Sequence, residues 1–468
     1  MTTLDVRHTA RGYWLEEAGP VEALPALSEV TEAEVVIVGG GYAGMWTAWH
    51  LLDRMAAASI VLLEADVCGH GPSGRNGGFC ETLWHSLHAL RERLGDADAV
   101  RLATASSETV AAIGAWCEEH GVDAWFARNG TLTASTAPAQ DTAGRAAVHA
   151  AEELGVADRV RALTPDELRS RCDSPVFRGG VLVPDDATVQ PARLALGLRR
   201  VLIERGVRIF EHTGVRGLAV SPAGVEARTA GGLVRARHAV LAMNAAARGV
   251  RPLRTRLAVT SSHLVLTEPV PDVIDEVGWR GGENITDGRT FVHYFRTTPD
   301  GRIAFGWGGG RVAWGARLGG RTEVDPAVAK ATHAHLLRVF PQLRERRVTH
   351  AWGGPIDVSP SHLPQVGTID GAPVHYAFGF TGNGVGPSHL AARSLAALAA
   401  GDPDVGLLPR LRPDRLPVPL EPIAWTGGSL VRLANLRKER LEEEGRRPSP
   451  LLRAAAAAPR ALGIHLGR

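Results

Sequence analysis

Cysteine is scarce in this chain. Its 468 residues include four, Cys68, Cys80, Cys117 and Cys172, and no two form a CxxC pair. So few in so long a chain exclude a disulfide-built scaffold. Cys68, His70 and Cys80 come nearest to a metal clip, but a CxH start is tighter than the usual ligand spacings and no fourth ligand stands beside them. Long hydrophobic runs are also lacking. No window reaches about 18 uninterrupted apolar residues, so no transmembrane helix is predicted. The opening MTTLDVRHTARGYWLEE has no apolar signal core. Neither sign of charge dominates: 52 Lys+Arg against 50 Asp+Glu give a formal net charge of +2, which gives no reason to expect a nucleic-acid partner. Arginine greatly outnumbers lysine, which points to a GC-rich genome more than to a binding task. There is no internal repeat. What is present is an ordinary globular composition, 44% hydrophobic and 22% charged, with length enough for two or more domains. A cytoplasmic bacterial protein is the simplest reading.

The residue pattern predicts a βαβ unit near the start. Val35 to Val38 form a continuous apolar run, as in a strand buried on both faces of a parallel sheet. From Tyr42 the spacing turns helical, with Met45, Ala48, Trp49 and Leu52 on one side. A second buried strand, Ile60 to Leu63, ends in Glu64. Before this unit lies an arm, residues 1–32, with Tyr13, Trp14 and Leu15 as possible anchors. Residues 83–119 read as helices. Thr164 and Glu167 form a capping box. Residues 189–215 read as a helix and a short strand, and 233–242 end in a strand. Residues 255–312 are strand-rich with turn signals such as TPDGR, and 326–340 are helical. Residues 376–401 give a strand, a glycine-rich turn and an alanine-rich helix. After about 405 the chain is Pro/Arg-rich and then partly helical. That last helix could rest on a membrane surface, though docking on the protein's own surface is the simpler reading.

Gly39-Gly40-Gly41-Tyr42-Ala43-Gly44 matches G-x-G-x-x-G, and it sits in the context that gives the pattern meaning, between a buried strand and a helix. Gly39 permits the sharp turn, Gly41 admits a pyrophosphate against bare backbone, and Gly44 lets helix and strand pack closely. The helix N-terminus offers free N–H groups and partial positive charge to phosphate. Glu64, about twenty residues beyond Gly44, can accept hydrogen bonds from ribose hydroxyls and would repel a 2′-phosphate. An adenosine dinucleotide is therefore expected. Two features favour FAD over NAD. One is the stretch CGHGPSGRNGGFC, 68–80, whose glycines allow backbone to lie along a large flat group. The other is Gly379 to Gly386, more than 300 residues later, again opening a helix. The positive end of a helix aimed at a flavin's pyrimidine edge would stabilise its reduced, anionic form.

At these motifs the chain resembles the FAD-dependent D-amino-acid-oxidase superfamily, in particular its branch of bacterial amine oxidoreductases that includes γ-glutamylputrescine oxidoreductases and aminophosphonate oxidoreductases. The resemblance is carried by VVIVGGGYAG, EADVCGHGPSGRNGG, AWGGPIDVSPSHLPQVG and GFTGNGVGPSHLAAR, and it runs from about Tyr13 to the tail. It implies an α/β fold, a Rossmann-like FAD-binding domain of the GR2 type with an interleaved α+β substrate domain on an antiparallel sheet. The expected boundaries are 33–85, 160–246 and 346–404 for the FAD domain, 86–159 and 247–345 for the substrate domain, and 405–468 for the tail. The resemblance implies that Gly39, Gly41, Tyr42, Ala43 and Gly44 face the pyrophosphate and that Glu64 and Ala65 face the adenosine ribose. Ser73, Gly74, Arg75, Asn76, Gly77 and Gly78 would run along the pyrophosphate, ribityl chain and ring. Val215 would meet adenine through its backbone, and Gly382, Asn383, Gly384, Val385 and Gly386 would lie at the pyrimidine end. No cysteine occurs in 376–390, so non-covalent FAD is expected.

The reaction so implied is hydride transfer to flavin N5 from a carbon bearing an amine, giving an imine that hydrolyses; electrons then pass to oxygen or another acceptor. The catalytic residues are left unassigned. His263, Tyr294, Arg296, Arg302 and Trp352 are candidate substrate-lining residues, with Trp307 beside them; each has an ordinary alternative as a core or surface residue. The arginines would pair with an anionic substrate group. Amino-acid oxidases of this superfamily carry a G-x-R-P segment whose arginine grips the α-carboxylate. The matching stretch here, Trp352 to Asp357, has no arginine, which favours a small amine over an α-amino acid. Oxidation of a hydroxy acid or polyol phosphate is the alternative reaction, and a non-catalytic binding protein the alternative class.

Overall fold

The structure is a computed structural model that describes residues 6–55, 58–411 and 417–461; the outer ends of the expected arm and tail lie outside the described residues. Its first sheet is built around the strand Val30–Val38, which pairs in parallel with Ile60–Leu63 on one side and Leu233–Leu241 on the other. Arg208–Phe210 extends the sheet beyond Ile60–Leu63, also in parallel. Leu233–Leu241 carries two strands on its far edge: Val374–Phe378, parallel, along its C-terminal half and Gly224–Arg228, antiparallel, along its N-terminal half.

The unbroken apolar run of the first strand has a direct cause. Val35 and Ile37 face a core with Met45, Trp46 and Leu395 from the helices Tyr42–Arg54 and Val385–Ala400. Val36 and Val38 face the opposite core with Val234, Leu253 and Phe378. Both faces are covered, so no polar position alternates. The two glycine-rich turns leave the C-terminal ends of parallel strands that flank the same neighbour, Leu233–Leu241. That brings both helix N-termini to one edge of the sheet, where open α/β sheets bind ligands.

The second sheet has nine strands, in the order Arg7–His8, Val348–Val358, Ala258–Thr267, Ile303–Trp307, His293–Thr297, Asn284–Asp287, Thr131–Ala134, Gly180–Val183 and Arg161–Leu163. It is antiparallel except where Arg7–His8 joins Val348–Val358 and where Asn284–Asp287 joins Thr131–Ala134. Trp279, Phe295, Phe305 and Phe340 fill its core. The sheets divide the chain differently from the expected boundaries. Arg161–Leu163, Gly180–Val183 and Val348–Val358 fall within the boundaries expected for the cofactor domain, yet their hydrogen bonds lie in the nine-stranded sheet. A strand pattern shows burial but not which sheet supplies the partner.

The arm is part of this architecture. Its helix Tyr13–Glu17 buries Trp14 completely, in a cluster with Leu264 and Trp352 of the nine-stranded sheet. The capping box at Thr164 and Glu167 forms as expected. At the other end, the helix Ile423–Glu443 docks on the protein's own surface. Arg289 is buried against Glu439 at 3.1 Å and Glu443 at 2.7 Å, and the Arg432 guanidinium donates to the carbonyls of Gly309 and Gly310.

Candidate cofactor and substrate site

The first glycine turn is sterically determined. Gly39 has φ +111°, and a β-carbon there would strike the Ala242 carbonyl. A β-carbon on Gly44 would strike the Gly39 carbonyl oxygen. The helix Tyr42–Arg54 starts on Gly41 with no side-chain cap of its own. Its Tyr42 N–H is instead met by the Ser73 hydroxyl at 2.9 Å, which seats the 68–80 loop directly over the turn. Glu64 accepts from the Gly40 N–H at 2.7 Å and the Asp66 N–H at 2.9 Å, and burial raises its pKa against these donors. Gly214 approaches Ala65, and Val215, half-buried, follows it; Glu64, Ala65 and Val215 thus gather at the strand ends.

The 68–80 loop is held from within. The Asn76 amide donates to the carbonyls of Pro72 and Ser73 at 3.1 and 2.9 Å, and its oxygen accepts from Gly78 N–H at 2.7 Å. Arg75 reaches away from the loop, to the Ala10 carbonyl at 2.7 Å and Glu323 at 3.0 Å. Cys68 is buried beneath Gly40, where a β-carbon on that glycine would meet its sulfur. All four cysteines are free and buried. Among the described residues, the one group of three His, Cys, Asp or Glu side chains converging on a point is Glu81, His85 and Asp186, all within 4.8 Å; Cys68, His70 and Cys80 do not converge. Asp186 of that group already accepts from the N–H and hydroxyl of Thr82.

The second glycine turn rests on a residue that pattern reading left unassigned, Asp357. Its carboxylate accepts from Gly379 N–H at 2.5 Å and from the Asn244 amide at 3.1 Å, and its carbonyl accepts from Thr381 N–H at 3.0 Å. Burial pushes its pKa up to about 7, opposed by the backbone N–H groups of Gly379, Phe380 and Thr381. The turn has Thr381 at φ +54° and Gly382 at φ +85°. The helix Val385–Ala400 then starts on Gly384 without a side-chain cap, a β-carbon on Gly386 would strike the Glu81 carbonyl, and Asn383 Oδ1 is buried with no hydrogen-bond partner in the protein. Asp357 lies in a stretch that the sequence brings into view, but no spacing ties it to a loop over twenty residues later in the chain.

On the substrate-side sheet, His263 stands opposite both Gly353 and Trp307; its ring occupies the space a Gly353 side chain would need. Burial lowers its pKa to about 4, so the imidazole is neutral near pH 7. Tyr294 bridges the two halves of the site. Its ring lies against Gly77 and Gly306 and edge-on to Phe79 at 5.8 Å. Ser262 donates its hydroxyl proton to the Trp307 carbonyl, so the 2.7 Å contact between Tyr294 Oη and Ser262 Oγ is donated by the tyrosine.

The other expected substrate contacts are committed elsewhere. Arg296 donates to the carbonyls of Val189, Gly78 and Thr297, and burial lowers its pKa to about 10. Arg302 sits in a turn on Asp300 at 2.6 Å and the Thr267 carbonyl at 3.1 Å. Trp352 gives its indole N–H to the Arg75 carbonyl at 2.8 Å and packs edge-on to Trp14. Trp307 is buried beside His335. Pattern reading could identify arginines and tryptophans in the right sheet, but not the backbone carbonyls that take them up.

Two glycine-started helix N-termini without caps of their own at one sheet edge, an acid at the end of the second strand and a glycine loop laid across them define a dinucleotide-binding oxidoreductase fold. Residues 34–398 match the family described as FAD dependent oxidoreductase (DAO), and the chain belongs to it. It is 28% identical over 400 residues to the γ-glutamylputrescine oxidoreductase of Escherichia coli, covering 84% of this chain and 90% of that one. It is 23% identical over 399 residues to a probable oxidoreductase, OrdL, of Haemophilus influenzae, covering 84% and 88%. Among solved structures, glycine oxidase from Geobacillus kaustophilus superposes with a TM-score of 0.65 at 20% identity, over 82% of this chain and 99% of that one. The protein is an FAD-dependent oxidoreductase. Its residues fit that cofactor: the close approaches at Gly39 and Gly44 leave backbone bare at one helix start, and at the other Asn383 Oδ1 has no protein partner.

Proposed function

We propose that this chain oxidises the C–N bond of a small amine that has no α-carboxylate next to the reacting carbon. Bound flavin supplies the two-electron acceptor for that chemistry. The observation that carries the reading is that, among the described residues, the strands Ala258–Thr267, His293–Thr297, Ile303–Trp307 and Val348–Val358 present no free lysine or arginine. Where a carboxylate-gripping arginine would stand, Gly353 and Gly354 occupy the strand and His263 fills the space above Gly353. Arg296 and Arg302 are held by carbonyl groups and Asp300. The γ-glutamylputrescine oxidoreductase relative, named for an amine, supports the same direction.

The side chains suit a neutral amine. His263 carries no charge near pH 7, and the Tyr294 phenol stays protonated because burial raises its pKa. Burial among neutral groups desolvates an ammonium and favours the free base, the form able to release a hydride. In this reading Tyr294 and His263 orient the amine, while Ser73, Gly77 and Gly78 shape the cofactor side of the same space and Glu64 takes the adenosine ribose. Asn76 and Arg75 hold the loop in shape. The cofactor is held without a covalent bond in this reading, which rests on the lack of a cysteine in 376–390.

The test is an anaerobic flavin-reduction screen with mono- and diamines, aminophosphonates, α-amino acids and hydroxy acids. Bleaching of the flavin absorbance by amines, with α-amino acids at least about tenfold slower, is expected, because a carboxylate left without its bidentate partner costs well over 1 kcal/mol. Reduction by hydroxy acids alone would overturn the amine assignment.

A further inference from the structure

Eleven large hydrophobic residues are exposed among the described residues, and eight of them fall in two short stretches, 314–318 and 420–451. These stretches meet in space. The Trp314 and Trp425 rings lie 5.4 Å apart, and Gly315 N–H donates to the Glu421 carboxylate at 3.0 Å. The helix Ile423–Glu443 has one face on the protein, through Gly428, Arg432, Asn435 and Glu439. Its opposite face carries Ile423, Leu430 and Leu433, exposed to 66%, 63% and 57%. Their spacing places all three within one arc of a 3.6-residue helix, and Arg437 continues the same stripe.

Random exposure of single apolar residues is normal, but their concentration on one outward face is not. The acids near the face, Glu421, Glu442 and Glu444, are each paired with a cation, so the unpaired charge there has one sign. Arg317, Arg437, Arg447 and Arg453 are exposed and have no acidic partner among the described residues. A second copy of this chain seated by a twofold axis would bring these arginine rims against each other. The residues also stand out singly from a helix, with tryptophans at the margin and arginines beside them, rather than lining a groove that a partner's side chain would enter. Apolar side chains that reach a few ångströms into acyl chains, tryptophan at headgroup depth and arginine on phosphate form the pattern of an interfacial helix.

We propose that this face, the outer stripe of the helix Ile423–Glu443 with the 314–318 loop, seats the enzyme on an anionic phospholipid surface. No helix among the described residues is long and apolar enough to cross a membrane, so the association is peripheral: Ile423, Leu430 and Leu433 enter the interface, and the arginines meet lipid phosphates. The inference does not depend on which amine is oxidised.

Co-sedimentation of the FAD-loaded full-length enzyme with vesicles tests it. The enzyme should pellet with phosphatidylcholine–phosphatidylglycerol vesicles and stay in solution with phosphatidylcholine alone. The double substitution Ile423→Ser and Leu430→Ser should weaken partitioning at least about tenfold, as expected for removing two aliphatic side chains from the interface. Arg437→Glu should weaken it about fivefold or more. Both variants should keep the wild-type flavin spectrum, which shows that the fold and cofactor site are intact. A wild-type enzyme that stays in solution with the anionic vesicles overturns the proposal, as does a double variant that pellets like wild type. So does light scattering that shows a dimer which the double substitution splits, because the face then belongs to a second copy.

Discussion

Asp357 carries more of the site than its surroundings in the sequence suggest. It holds Gly379 N–H and Asn244 with its two carboxylate oxygens. Asp357→Ala leaves the buried Gly379 N–H unpaired, at about 1–3 kcal/mol, and the half-buried Asn244 amide without its acceptor. Dialysis of the variant should therefore release FAD faster than from wild type, with a lower melting temperature. Asn76 is the equivalent in the other loop. Asn76→Ala removes three hydrogen bonds that shape 72–78 and should reduce FAD content on purification. Cys68→Ser should leave FAD content unchanged, because the thiol packs beneath Gly40 as a small side chain and lies outside any convergent ligand group. A metal-dependent loss in the cysteine variant, with normal behaviour in the asparagine variant, would reverse that assignment. Gly78 is the third residue of this kind. It has φ +79°, and a β-carbon would strike the Val189 carbonyl and approach Arg296. Gly78→Ala should abolish FAD binding while Gly71→Ala, with open space around it, should retain it.

At the scale of elements, the parts legible in the sequence were those with local causes. The βαβ unit follows from strand burial and glycine sterics inside about thirty residues. The capping box at Thr164 needs only four residues. What stayed hidden depends on partners far along the chain. The two-residue strand Arg7–His8 has no pattern of its own and exists because Val348–Val358 offers it an edge. Arg296 and Arg302 carry the chemistry of anion binding, but distant carbonyls and a turn aspartate occupy them. The last helix was legible as a helix, while its anchor was not: Arg289 and Glu439 are far apart in sequence and are 3% and 4% exposed at their side chains. Breaking a buried pair leaves one charge uncompensated, at about 3–5 kcal/mol. Arg289→Ala should lower the melting temperature by several degrees and make the segment after residue 417 cleavable by trypsin. If proteolysis is unchanged, the helix is held by packing alone.

For the whole molecule, buried titratable groups set how stability follows pH. His263 and His375 have pKa values lowered to about 4, and His50 to about 3, mainly by burial. Their unfolded forms take up protons from the ordinary value of 6.5 downward, so the contribution of these neutral histidines is lost as pH falls from about 6.5 to about 4. Asp357 works in the opposite sense. Its folded pKa is about 7 against 3.8 unfolded, so its contribution grows as pH falls through the same window. Asp357→Asn removes that offset. Its melting temperature, followed by calorimetry between pH 7 and pH 4, should fall more steeply than that of wild type; parallel slopes would mean that Asp357 is ionised in the folded protein.

The pairing of the first sheet also bears on how the chain is made. Its central strand, Val30–Val38, emerges from the ribosome early. Its neighbour Leu233–Leu241 comes much later, and Val374–Phe378 later still. A nascent chain of about 250 residues therefore holds the first glycine turn but lacks the Gly379–Gly386 turn and helix proposed for the cofactor's other end. Long-range pairing of this kind slows folding and leaves strand edges open while synthesis continues. On that proposed placement the cofactor is a late ligand, able to act as a check on completion: only a chain translated past the helix Val385–Ala400 would present both ends of its seat.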